Sequence, residues 1–225
     1  MRPNPMSTQT HSYAETLEIN RVLKNTYLLL SLTLVFSAAT AFFSMTHNVA
    51  PIGIFGFLIG WFGLYFVTAA LRNSPWGLLA IFAFTGFAGY TLGPILNQYI
   101  QGFSNGGQLV GMALGTTGVM FLSLSGYALS TRKDFSYMGG FIAVSALAAF
   151  VLGLGSIFFQ WTVLSLLVSF AFTVISAAFI LYNTSMIING GERNYLMAAI
   201  GLYIAIFNIF INLLRLFAVL AGNRD

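Results

Sequence analysis

Residues 163–188 read VLSLLVSFAFTVISAAFILYNTSMII, a run without one charged side chain. A helix rises about 1.5 Å per residue and the bilayer's hydrocarbon core is about 30 Å thick, so about 20 apolar residues cross it. The run exceeds that length, and Asn189-Gly190-Gly191 closes it with residues suited to a positive-φ helix end. The rest of the chain repeats the pattern. Spans are expected at Tyr27–Thr46, Ile52–Leu71, Pro75–Gln98, Leu109–Ser130, Phe135–Phe158, Val163–Ile188 and Tyr195–Ala221. This predicts an all-α membrane protein, a bundle of seven transmembrane helices over residues 25–225, preceded by a cytoplasmic tail at residues 1–24.

Composition agrees. Of 225 residues, 58% are apolar and 6% charged, against about 25% charged in an ordinary soluble domain. There is no cysteine, which excludes disulfides, thiol catalysis and cysteine metal sites. The net charge of +4 comes from basic residues scattered singly or in pairs, so nucleic acid is not an expected partner.

The breaks carry local signals. Asn73-Ser74-Pro75 offers a cap followed by a proline in the first turn. Asp134 can cap the fifth helix, and residues 102–107 are Gly/Ser/Asn-rich and read as a loop. Orientation follows from charge. Arg2, Arg21, Lys24, Arg72, Arg132, Lys133 and Arg193 fall in the tail and the even loops, whereas the odd loops hold no Lys or Arg. The positive-inside rule then places the amino terminus in the cytoplasm, and seven crossings put the carboxyl end outside. A cleaved signal peptide ending at Ala39-Thr40-Ala41 is the alternative. The apolar run continues through Phe42 and Phe43, which favours an uncleaved first helix.

No predicted span holds a carboxylate, since Glu15, Glu18, Asp134, Glu192 and Asp225 all lie in the tail, loops or end. That argues against a proton relay or a carboxylate-lined cation path. The possible polar residues of the bundle are Arg72, Asn97, Asn183, Asn208, Asn212 and Arg215. Asn208 and Asn212 share a helix face and could join two neighbours; Arg215 reads as an interfacial arginine reaching for headgroups. Gly56/Gly60, Gly89/Gly93 and Gly111/Gly115 have the spacing that lets helices approach closely. Pro94 should kink or end the third span. His11 and His47 are the only histidines, and neither a serine–histidine pair nor a metal-binding helix motif is present, so no enzyme activity and no cofactor are expected.

Several stretches resemble the Bax inhibitor-1 family, above all its bacterial YccA branch. They are Phe84 to Asn97 (FTGFAGYTLGPILN), Thr131-Arg132-Lys133-Asp134 with Gly139-Gly140, Ile188 to Tyr195 (INGGERNY), and Leu202-Tyr203 with Asn208-Ile209-Phe210. The resemblance implies a seven-helix bundle of the Bax inhibitor-1 type, with six helices around a central last one. Many members are implied to leak calcium through a latch of two aspartates. The matching positions here are Asn183, in Tyr182-Asn183-Thr184, and Ala205, so neither carboxylate is present and Arg72 lacks the latch's acidic partners. The YccA branch implies a different role: binding the membrane-anchored ATP-dependent protease FtsH and restraining it as a slowly degraded substrate. The handle for such a protease would be the polar tail, Arg2, Pro3, Asn4, Pro5, Met6, Ser7, Thr8, Gln9 and Thr10, expected to be unstructured.

Overall fold

The structure is a computed structural model that describes the backbone of residues 5–159 and 161–222, and the side chains of residues 17–222 except 157 and 160. Those residues form seven helices: α1 (Pro5–Thr46), α2 (Ile54–Ala70), α3 (Trp76–Gly102), α4 (Gly106–Thr131), α5 (Met138–Phe159), α6 (Thr162–Ile188) and α7 (Tyr195–Gly222). Six are long and apolar enough to cross a membrane. At 17 residues α2 is shorter than expected, because Ile52-Gly53 stay outside it and Leu71 turns away; about 25 Å of helix is at the lower limit for a span. It still runs from one end of the bundle to the other. Asn97 Nδ2 donates to Met45 O at 2.8 Å and to Asn48 Oδ1 at 3.3 Å, joining the α1–α2 loop to the end of α3. Asn194 Nδ2 donates to Arg72 O and Asn73 Oδ1, both at 3.0 Å, joining the α2–α3 loop to the start of α7 at the opposite end.

Lipid-facing positions are mostly apolar. Phe55, Ile59, Leu122, Phe141, Val144, Phe158 and Val163 are exposed, which in water would be a large aggregation surface and in a bilayer is the required one. The dry interior centres on α7, where Leu196, Ile200, Leu202, Tyr203, Ile209 and Leu214 are buried. The arrangement around α7 is less symmetrical than six equivalent helices. α1, α3, α4 and α6 pack on it directly. α2 leans on α3 and reaches α7 through the Trp61 ring, 5.0 Å from that of Phe207. α5 packs on α6 and is separated from α7 by a cavity of about 410 Å³.

Small residues decide the closest approach. A Cβ on Gly89 would meet Ser37 O of α1, and one on Gly93 would sit 2.7 Å from Met45 N. Of the three glycine pairs, only Gly89/Gly93 brings two backbones together. Gly60 takes the Phe87 ring, Gly56 meets only Ile52, and Gly111/Gly115 face open space. α3 continues through Pro94 to Gly102. The helix ends differ from expectation at Asp134. α5 begins at Met138, so Asp134 caps the preceding turn, accepting from Ser136 N at 2.8 Å. At the end of α6 the glycine signal is fulfilled, with Gly190 at φ 73°.

α1 runs unbroken from Pro5 to Thr46. The expected unstructured tail is therefore corrected for Pro5, Met6, Ser7, Thr8, Gln9 and Thr10, whose backbone is helical. Pro5 occupies a first-turn position where its missing N–H costs nothing, and no proline or glycine follows before Thr46. Arg2, Pro3 and Asn4 lie outside the described residues.

Candidate functional site

The polar chemistry gathers at the end of the bundle that holds the α2–α3, α4–α5 and α6–α7 loops. Asn194 is its first organiser. Its Oδ1 accepts from Leu196 N and Met197 N, both at 3.1 Å, which caps α7. Its own N–H donates to Glu192 Oε1 at 2.8 Å, and its amide nitrogen holds the α2–α3 loop. Ser185 is the second. It donates to Lys133 O at 3.0 Å and accepts from Phe135 N at 2.8 Å and Asn189 Nδ2 at 3.1 Å. The α4–α5 loop is thereby tied to the end of α6. α1 enters the same layer. Val22 packs with Ile187 and Ala198, and Glu18 pairs with Arg193 at 3.7 Å. That exposed pair is worth at most about 1 kcal/mol; the packing and the hydrogen bonds set the position.

This end therefore collects Glu18, Arg21, Lys24, Arg72, Arg132, Lys133, Asp134, Glu192 and Arg193. Arg215 on α7 is the single charge among the described residues that lies apart. Asp134 has a carboxyl held below the usual carboxylate range, first by the backbone N–H of Ser136. No three His, Cys, Asp or Glu side chains of the described residues come together as a metal site.

Beneath this layer, between α2, α6 and α7, lies a cavity of about 280 Å³ lined by Tyr65, Tyr182, Asn183, Glu192 and Gly201 among others. Asn183 is buried and its Oδ1 has no partner. Its amide presses on Gly201, where even a Cβ would collide. Gly201 and Ala205 are one turn apart on α7, so Asn183 and Ala205 occupy one seam, as the resemblance implies for the two latch positions. The two latch positions hold an amide and a methyl group; the carboxylate in the cavity lining is that of Glu192, which accepts from Asn194 N.

The other polar residues divide. Asn97 makes the interhelical bond expected of it. Asn212 does not join two neighbours; its Nδ2 turns back to Asn208 O at 2.8 Å within α7, because an amide four residues on reaches its own helix's carbonyl more easily than another helix. Asn208 borders the cavity between α5 and α7. Arg72 is exposed in the turn after α2, where its carbonyl is the working group. The structure thus keeps Arg72, Asn183 and Arg215 at separate places. The organisers Asn194 and Ser185 were not singled out from sequence. Asn194 carries a readable signal, an Asn directly before an apolar helix; Ser185 carries none.

The fold and its seam define a helical multi-pass membrane bundle built around its last helix. Residues 19–223 match the family model described as inhibitor of apoptosis-promoting Bax1, and the chain belongs to that Bax inhibitor-1 family. It is 49% identical to an uncharacterized protein of Pseudomonas aeruginosa over 93% of this chain and 94% of that one. It is 43% identical to the modulator of FtsH protease YccA of Escherichia coli K12, over 93% of this chain and 94% of the relative. An uncharacterized membrane protein of Vibrio cholerae is 41% identical over 97% of this chain and 98% of its own.

Proposed function

We propose that this chain is an inner-membrane regulatory protein that binds FtsH and restrains it as a slowly extracted substrate, without enzymatic activity of its own. The observation that carries this is the match to an FtsH modulator over nearly the whole chain, joined to two latch positions, Asn183 and Ala205, neither of which is a carboxylate. The basic end faces the cytoplasm in this reading and the carboxyl end faces the periplasm. The protease grips the segment from Arg2 to Thr10. A terminal helical segment of this length can be unwound by pulling, because its own hydrogen bonds alone are marginal in water.

Resistance begins at once. The helix being pulled is α1, which is seated on α3 at Gly89 and Gly93, bonded to α7 through Ser37 and Tyr203 at 2.6 Å, and held by Asn97 at its far end. Extraction must break these contacts before about 20 apolar residues leave lipid. The protease is held at the step where the substrate is tightest.

Deleting residues 2–10 should abolish both turnover of this protein and its protection of a competing FtsH substrate, at equal expression. Undiminished protection after the deletion overturns the tail mechanism. Failure of the full chain to co-purify with FtsH from membranes overturns the function. Calcium flux through the wild-type chain in liposomes should match empty vesicles; flux above them would favour a leak protein instead.

A further inference from the structure

The fold leaves one buried amide unserved. Asn183 is 7% exposed, lines the cavity of about 280 Å³ between α2, α6 and α7, and makes no side-chain hydrogen bond to a described residue. Its amide lies over Gly201, which has no Cβ to block it. A buried acceptor without a partner is costly, and one that borders a cavity calls for a partner from outside the chain.

The same cavity holds a carboxylate that nothing neutralises. Glu192 is half-buried in its lining, at the α6–α7 loop. Its Oε1 accepts from Asn194 N at 2.8 Å, which fixes the side chain, while no described residue engages Oε2. The adjacent Arg193 turns away to Glu18, at 3.7 Å. No Lys, Arg or His lines the cavity. Three aromatic residues do: Tyr65 from α2, and Phe179 and Tyr182 from α6, whose rings lie 5.9 Å apart.

These groups select the charge and the kind of occupant. A carboxylate without a basic neighbour repels an anion. A metal ion would need several ligating side chains, and no three His, Cys, Asp or Glu gather among the described residues. An organic ammonium needs what is present: a carboxylate for the charge, and aromatic surface for the carbon around it. Asn183 serves the polar end of such a molecule, because a half-turn about χ2 exchanges Oδ1 and Nδ2 and lets the amide meet a donor or an acceptor. Glu192 stands at the loop end, so the ligand enters from the aqueous phase on the side of the basic loops.

We propose that this cavity binds a small organic ammonium ion, with its charge against Glu192, its carbon on Tyr65 and Tyr182, and its polar end on Asn183. Isothermal titration of the full-length protein in a maltoside detergent, at fixed ionic strength, tests it with choline and with 3,3-dimethylbutan-1-ol, the uncharged molecule of the same shape. Wild type should bind choline, and the alcohol at least about tenfold more weakly. Glu192→Gln should bring choline down to the level of the alcohol. Asn183→Leu should weaken choline binding at least about tenfold without lowering the melting temperature of the ligand-free protein. Asp134→Asn, on the neighbouring loop, should bind choline as wild type does. No choline binding by wild type, or equal binding of the two molecules, overturns the proposal. Wild-type choline affinity in both Glu192→Gln and Asn183→Leu overturns the placement in this cavity.

Discussion

The two flanks of α7 are built differently. Where α1 meets α3 it is sealed, although a cleft of about 490 Å³ opens beside that contact toward α4: Tyr203 is buried, shares a 2.6 Å hydrogen bond with Ser37, and its ring meets Phe84 edge-on, while Gly89 and Gly93 let α3 touch the backbone of α1. Toward α5 and α6 it faces cavities of about 280 and 410 Å³, and Asn183 leaves an acceptor unpaired. In lipid no hydrophobic force distinguishes a helix neighbour from an acyl chain, so close packing and hydrogen bonds hold helices together. The sealed flank therefore carries the fold, and the other flank can yield. A machine pulling on α1 meets the sealed flank first.

The largest effect should come from breaking the seal. Gly89→Leu places a branched side chain where even a Cβ collides with the Ser37 carbonyl, so α1 and α3 must separate. The expected cost is at least about 3 kcal/mol, the upper part of the range for overpacking; thermal melting in detergent reads it. A wild-type melt would remove the distinction between the flanks. Asn194→Ala comes next. It removes the α7 cap and the clasp on the α2–α3 loop together, at about 1–2 kcal/mol, with faster amide exchange at residues 72–74 as the local sign.

Two polar substitutions sharpen the contrast further. Tyr203→Phe leaves the buried Ser37 hydroxyl without its partner and should cost about 1 kcal/mol. Asn183→Leu removes an acceptor that has no partner, into existing cavity space, and should be neutral or stabilising by up to about 1 kcal/mol. If Asn183→Leu proves the costlier of the two, the α6–α7 seam is a structural contact and not slack.

Much of this was legible in the sequence because it depends on length and charge. A bilayer demands long uncharged runs, and basic residues mark the loops between them, so seven helices and the basic end could be read without coordinates. What could not be read depends on which face of a helix meets which neighbour. Gly56/Gly60, Gly89/Gly93 and Gly111/Gly115 look alike as strings, and only tertiary placement buries the second pair against a backbone. The spacing of Asn208 and Asn212 allows a bridge between helices or a bond within one, and the bond within one won. Ser185 stands in an apolar helix end like any other serine, yet it holds the α4–α5 loop. The cleft between α1 and α4 depends on how two helices sit relative to each other, which no single segment encodes.

The smallest expected effect lies at that same loop, outside the bundle. The Ser136 N–H stabilises the ionised Asp134 and lowers its pKa from the ordinary 3.8. A lowered pKa means that the contribution is fully present above the unfolded value and is lost as pH falls through the folded one. The α4–α5 loop should therefore loosen only in strong acid, read as faster amide exchange at Ser136, while the buried bonds of Ser185 persist. Asp134→Asn keeps an acceptor oxygen in place, so the turn should survive at neutral pH and lose its acid sensitivity. Asp134→Ala removes the acceptor and should expose the Ser136 amide at every pH. An unchanged exchange rate of the Ser136 amide in Asp134→Ala at neutral pH would mean that the loop is held by Ser185 alone, and the yielding half of the molecule would then begin at α5.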